Sequence, residues 1–303
     1  MKQHLSAVLV LLLSACVGTW AAPVPKPAAK ADAAYRGEIA AWKRERAAEL
    51  RSDWLPLSGL FWLKQGESTF GSASDNTIVL PKGPAHAGVL AMKEGGKVGV
   101  KLAPGVKATA GTDPNKAKRV RETPMLPQPP GPPTILALGT LRMHVIVRGD
   151  RVGLRLRDLD SPALRAFKGI PTFPADPRWR VLADWIPSPG KKIPVMNVLN
   201  DVMQYESPGV ARFNLAGESV TLRAVVEGDK LFFIFADGTS GRSTYGAGRY
   251  LYSAMPKAGK VTLDFNQAFT PPCGFTPYAT CPLPPQENKL QGAIEAGEKY
   301  EKH

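Results

Sequence analysis

The chain has 303 residues, with 39 Lys and Arg against 26 Asp and Glu for a formal charge of +13, and with 29 Gly, 29 Pro and 3 Cys. That length suffices for two ordinary domains with proper cores, and the Gly and Pro content calls for many turns and hence a β-rich fold. The positive balance favours anionic partners such as lipid head groups, acidic glycans or wall polymers, although scattered Lys and Arg also serve simply to solubilise a surface. Beyond the start of the chain no run of about 18 apolar residues occurs, which excludes a further membrane-spanning helix.

The first residues, MKQHLSAVLVLLLSAC, place Lys2 in a short polar start, then an apolar stretch from Leu5 to Leu13, then small side chains. This is the layout of a secretory signal, and the stretch is too short for a permanent span. Leu13, Ser14, Ala15 and Cys16 match the lipoprotein box. Residues 1–15 are therefore expected to be a signal peptide and Cys16 a lipidated cysteine anchoring a periplasmic lipoprotein to the membrane. Val17 after the cysteine, rather than Asp, favours the outer membrane. Thr19-Trp20-Ala21 offers a second cleavage site, after Ala21 or Ala22, which would leave a soluble periplasmic protein. Export removes nucleic acid from the expected partners.

Residues 16–34, rich in Ala, Pro and Lys, read as a flexible tether. Tyr35, Ile39, Trp42 and Leu50 then fall on one helical face, with Asp32 as a cap, which predicts a docking helix whose cationic residues are Lys43, Arg44 and Arg46. Alternating runs predict strands over 77–80, 97–102, 135–148 and 151–157, with Arg148-Gly149-Asp150 as a hairpin turn between the last two. Four prolines between Ser161 and Pro177 mark a boundary. A first domain over 35–165 and a second over 166–303 follow. In the second, strands are expected at 179–186, 193–198, 202–205, 211–215, 220–226, 231–235, 249–253 and 261–265, forming an antiparallel meander closed into a barrel or sandwich. A Pro-rich loop, 270–285, and a short helix weakened by Gly292 and Gly297 end the chain.

Thr69 to Leu90, TFGSASDNTIVLPKGPAHAGVL, resembles the opening of forkhead-associated domains, β-sandwiches that bind phosphothreonine. In that family an arginine grips the phosphate after a glycine; here Ser72 follows Gly71, and serine cannot supply the charge. The resemblance thus implies the sandwich without the phosphopeptide activity, leaving Asp75, Asn76 and His86 to turns and local hydrogen bonds. From Leu57 to Glu298 the chain is also similar to the bacterial family catalogued as domain of unknown function 1684. That similarity rests on residues 57–72, 148–162, LFFIFADGTSGRSTYGAGRYL at 231–251 and LDFNQAFTPPCGFTPYATCPLPPQENKL at 263–290. It implies no mechanism.

The last two segments hold the candidate site. Arg242, Tyr245, Arg249, Asp264, Asn266 and Asn288 combine two arginines with hydroxyl and amide groups, which suits a carboxylate, phosphate or glycan. The same side chains could equally knit loops to a barrel mouth. Cys273 and Cys281, eight positions apart in an oxidising compartment, are expected to form a disulfide contributing roughly 2.5 kcal/mol. A reactive Cys273 is the alternative. No HExxH, nucleophile elbow or dinucleotide fingerprint occurs, so neither metal nor cofactor is expected. The first expectation is a non-catalytic envelope module for a small anionic or glycan ligand. An envelope hydrolase or transferase built on Asp264, Tyr245 and Cys273 is the second, and an assembly scaffold the third.

Overall fold

A computed structural model describes residues 29–301; the leader, Cys16 and most of the tether lie outside them. Helix α1 (Ala29–Glu49) runs into one wider turn over Leu50–Trp54. Tyr35, Ile39 and Leu50 are buried as the apolar spacing predicts, but so is Arg46, one turn on from Trp42 on the same face. Arg46 is tolerated there because Glu298, Glu49 and the carbonyl of Thr270 take its donors, while its guanidinium lies 4.5 Å from the Phe269 ring centre. Asp32 lies inside the helix and pairs with Arg36 at 2.9 Å.

Twelve strands follow: β1 (Leu57–Trp62), β2 (Gly66–Gly71), β3 (Ile78–Val79), β4 (Gly88–Met92), β5 (Val98–Leu102), β6 (Ala108–Gly111), β7 (Lys118–Val120), β8 (Glu122–Met125), β9 (Pro127–Gln128), β10 (Ile135–Leu138), β11 (Leu141–Arg148) and β12 (Arg151–Asp158). One sheet has the order β1-β12-β11-β10-β6-β7, with β9 added to β11; the other has β3-β2-β4-β5-β8. Their inner faces share one core, including Phe70, Leu90 and Val100 from one sheet and Met143, Leu154 and Leu156 from the other, which makes a sandwich. β11 and β12 join through Gly149 at φ 59°, so Arg148-Gly149-Asp150 is a hairpin turn. Gly71 packs where any Cβ would overlap the carbonyl of Ala85, and Asn76 ties the loop by donating to the carbonyls of Ala73 and Ala85, both at 2.8 Å.

The remaining strands are β13 (Arg180–Met196), β14 (Val202–Leu215), β15 (Glu218–Glu227), β16 (Lys230–Phe235), β17 (Arg249–Ser253) and β18 (Lys260–Asp264), in the order β17-β16-β15-β14-β13-β18. β13 to β17 are consecutive antiparallel neighbours, a meander, and β18 pairs with β13 at the far edge; Ser253 of β17 donates to the carbonyl of Thr262 in β18, so the sheet curls into a half-barrel. Phe213, Phe233, Phe235, Leu251 and Leu263 fill its interior. Its outer face carries a smaller core of Ile193, Val195, Phe232, Ile234 and Tyr250.

The mainly β fold with an N-terminal helix agrees with the sequence, but several details differ: the run expected as one strand over 135–148 is a hairpin of β10 and β11 that turns at Gly139, φ 58°. The runs 179–186 and 193–198 are one strand, as are 202–205 and 211–215. The Pro and Gly residues between them sit in a register shift of the long β13-β14 hairpin, between Pro187 and Lys191, instead of in loops. The closing helix does not form. Gly292 lies against Leu215, and Gly297, at φ 78°, lies where a Cβ would overlap the Ala268 carbonyl, so close packing against the half-barrel holds the chain extended.

Candidate functional site

The candidate residues of the C-terminal half go to separate places. Arg249 is 0% exposed and donates to the Asp237 carboxylate at 2.7 Å, the Ile294 carbonyl at 2.8 Å and the Ala296 carbonyl. It pins the C-terminal segment to β17 from inside the half-barrel. Burial depresses its pKa, and Asp237 opposes that shift. Asp264 and Asn266 lie under α1, where Asp264 accepts from the Tyr35 hydroxyl at 2.8 Å and the Asn266 amide donates to the Asp176 carbonyl. Asn288 accepts from the Arg223 amide at 2.7 Å and donates to the carbonyls of Arg223 and Ile234. Tyr245 donates to the Cys273 carbonyl at 3.3 Å and packs edge-on to Tyr300, while Arg242 is exposed. Cys273 and Cys281 are disulfide-bonded with Cα atoms 6.1 Å apart, so Cys273 carries no free thiol.

The two motif-rich segments nevertheless meet at one cavity, through different side chains. Strand alternation decides which. In β17, Arg249 and Leu251 point into the half-barrel, so Tyr250 and Tyr252 point out; in β16 the same parity turns Phe232 out. These rings form the floor of a cavity of about 910 Å³. Phe232 and Phe269 both stack on Tyr252, with ring centres 4.8 and 5.8 Å from it. Helix α1 closes one side with Trp42 and Glu45, and the disulfide loop closes another from Ala279 to Pro282. Burial raises the pKa of Tyr250 and Tyr252, keeping both phenols protonated at neutral pH.

The remaining wall comes from the sandwich and is cationic. Leu154 and Leu156 occupy the sandwich core, so Arg155 between them must face outward, opposite His144 in the β11 register. That outward direction leads into the cavity, whose lining includes Arg155 and Arg148. Arg155 is 7% exposed and its Nε has no hydrogen-bond partner among the described residues. Burial, then the charges of Arg148 and Arg157, push its pKa down to about 10. Arg157 at least has Asp53 at 3.6 Å. Burial also lowers Arg148, and no carboxylate opposes it; Tyr205 is its counter-group. His144, buried beside these arginines, is driven down to about 4, first by burial and then by Arg157, Arg155 and Arg148.

A buried cation without a counter-charge costs several kcal/mol of desolvation, and clustered like charges add to this. Nothing within the described residues offsets it at Arg155. A second groove, of about 870 Å³, crosses the outer face of the β2-β4-β5-β8 sheet, but its lysines, Lys93, Lys97 and Lys101, are exposed and already solvated. Among the described residues no group of three or more His, Cys, Asp or Glu side chains is placed to hold a metal ion.

Residues 165–299 match the family described as protein of unknown function DUF1684. The chain belongs to the DUF1684 family. The matched residues include the half-barrel, its aromatic outer face and the disulfide loop; of the resemblance expected from Leu57 onward, the match covers the part from residue 165. An uncharacterized protein of Haloarcula marismortui, solved in solution, is 34% identical over 46% of this chain and 80% of its own, with a TM-score of 0.39. No curated protein matches the chain. The DUF1684 half supplies the aromatic floor of the cavity, whereas Trp42, Trp54, Arg148 and Arg155 come from before the matched residues. Sequence reasoning passed over these two arginines by searching the residue-rich motifs. The available signal was the alternation in RVGLRLRD, which puts leucines inward and arginines outward.

Proposed function

We propose that the protein is a non-catalytic binding module of the cell envelope whose cavity between sandwich and half-barrel takes an anionic ligand, gripped by Arg148 and Arg155. One observation carries this reading: Arg155 is buried, has no counter-charge and lines a cavity large enough for a small molecule. Guanidinium groups bind carboxylate and phosphate oxygens in bidentate fashion, so an incoming anion supplies the missing partner. The anion expected from the sequence is kept, and its site moves from Arg242 and Arg249 to the β11-β12 hairpin. Export and anchoring through Cys16 belong to the proposal, supported by the leader sequence and compatible with the disulfide. The sandwich serves as a forkhead-associated-like scaffold without the phosphate-gripping arginine, since Ser72 only donates to the Gly83 carbonyl.

Crystals soaked in selenate test the anion site without assuming what carries the charge. Anomalous density within hydrogen-bond distance of the Arg155 guanidinium is expected. Full occupancy elsewhere with none at Arg155 contradicts the proposal.

A further inference from the structure

We infer that the ligand is an acidic saccharide, a short sugar chain bearing a carboxylate or a phosphate; this rests on the anion site proposed above. Arg148 and Arg155 occupy the sandwich wall, and Arg46 on the α1 side is already paired with Glu49 and Glu298. The Tyr252 and Phe269 rings are stacked on each other and on Phe232 and Arg46, but the lining also includes two indole rings, Trp42 of α1 and Trp54 of the turn that follows it. The negative faces of such rings attract polarised C–H groups, which a pyranose presents on its flat side. An inorganic oxyanion leaves these rings without a contact.

Carboxylates decide between a sugar and other ring-bearing or apolar anions. Glu45, Glu49 and Glu227 share the lining with the arginines. Glu49 accepts from Arg46 and from Trp54, and Glu227 from Tyr252, while Glu45 is exposed and has no hydrogen bond among the described residues. Ionised carboxylates only accept hydrogen bonds and repel an anion. All three are exposed and only Glu45 has both acceptors free among the described residues, so a ligand end that reaches it is favoured when it is uncharged and carries donors, as the hydroxyls of a sugar do. A fatty acid or simple aromatic acid has a charge for Arg155 but no donor for Glu45. A cavity of about 910 Å³ also stands near the upper end of small-molecule sites, with room for more than one ring.

Calorimetric titration of the mature chain tests this with trigalacturonate, glucose 6-phosphate, maltotriose, decanoate and inorganic phosphate, on the wild type, Arg155→Met and Glu45→Gln. Glu45 is exposed, so Glu45→Gln keeps the fold even if Arg155→Met disturbs it. At least one acidic sugar is expected to bind, weakened about tenfold or more by Arg155→Met and about threefold by Glu45→Gln, with maltotriose indifferent to Arg155→Met. Decanoate or phosphate binding as tightly as the sugars, dependent on Arg155 but not on Glu45, overturns the saccharide and leaves the anion site standing. Absence of Arg155-dependent binding by both acidic sugars also overturns the inference; the selenate soak then shows separately whether the anion site fails with it.

Discussion

Two buried arginines, a few side chains apart in chemistry, have opposite surroundings. Arg249 is held by Asp237 and two carbonyls, so Arg249→Met leaves Asp237 charged and unpaired in the interior. A loss of about 3–5 kcal/mol in urea unfolding is expected, largely recovered when Asp237→Asn accompanies it. His144 reports on the neighbouring cationic cluster. Its folded pKa is driven down to about 4, well below the ordinary histidine value, so between about 4 and 6.5 the unfolded chain holds more protons than the folded one. Stability therefore rises with pH across that window and is lost as pH falls through it, by up to about 3 kcal/mol from this group. Urea midpoints at either end of the window should differ less in His144→Leu than in the wild type.

At the scale of elements, what was legible in the sequence was what a strand or helix repeats. The face of α1 through Tyr35, Ile39 and Leu50 and the turn at Gly149 follow from local periodicity and local backbone needs. The fate of Arg46 does not, because its partner Glu298 is 252 residues away in sequence. The same separation hid the roles of Asp264 and Asn288, whose partners lie on α1 and β15. The Pro-rich segments misled for another reason: in β13 they read as loop, yet a long hairpin absorbs them at one register shift. The disulfide loop is an element with a measurable share in the cavity. Replacing both Cys273 and Cys281 by Ala should cost about 2 kcal/mol in non-reducing urea unfolding and speed proteolysis between them. Unchanged stability and cleavage would remove the loop as a structural wall.

For the whole molecule, the cavity lies where three parts meet: the half-barrel supplies a stacked aromatic floor, α1 and its following turn supply Trp42 and Trp54, and the sandwich supplies Arg148 and Arg155. Arg151 of the sandwich pairs with Asp201 at the tip of the β13-β14 hairpin and lies over Trp62, which ties the two units beside the cavity. The formal charge of +13 motivates an anionic partner in the proposal but gives it no place, since most of that charge is spread over the surface. What locates it is a cation whose burial is not repaid within the protein. Such a group is kept at the expense of stability, so its removal should stabilise the unliganded chain. The most direct measurement is therefore the melting temperature of Arg155→Met beside that of Arg249→Met, without ligand. Arg155→Met should melt above the wild type while Arg249→Met melts well below it; a fall in both would mean that Arg155 is a structural staple and would contradict the anion site.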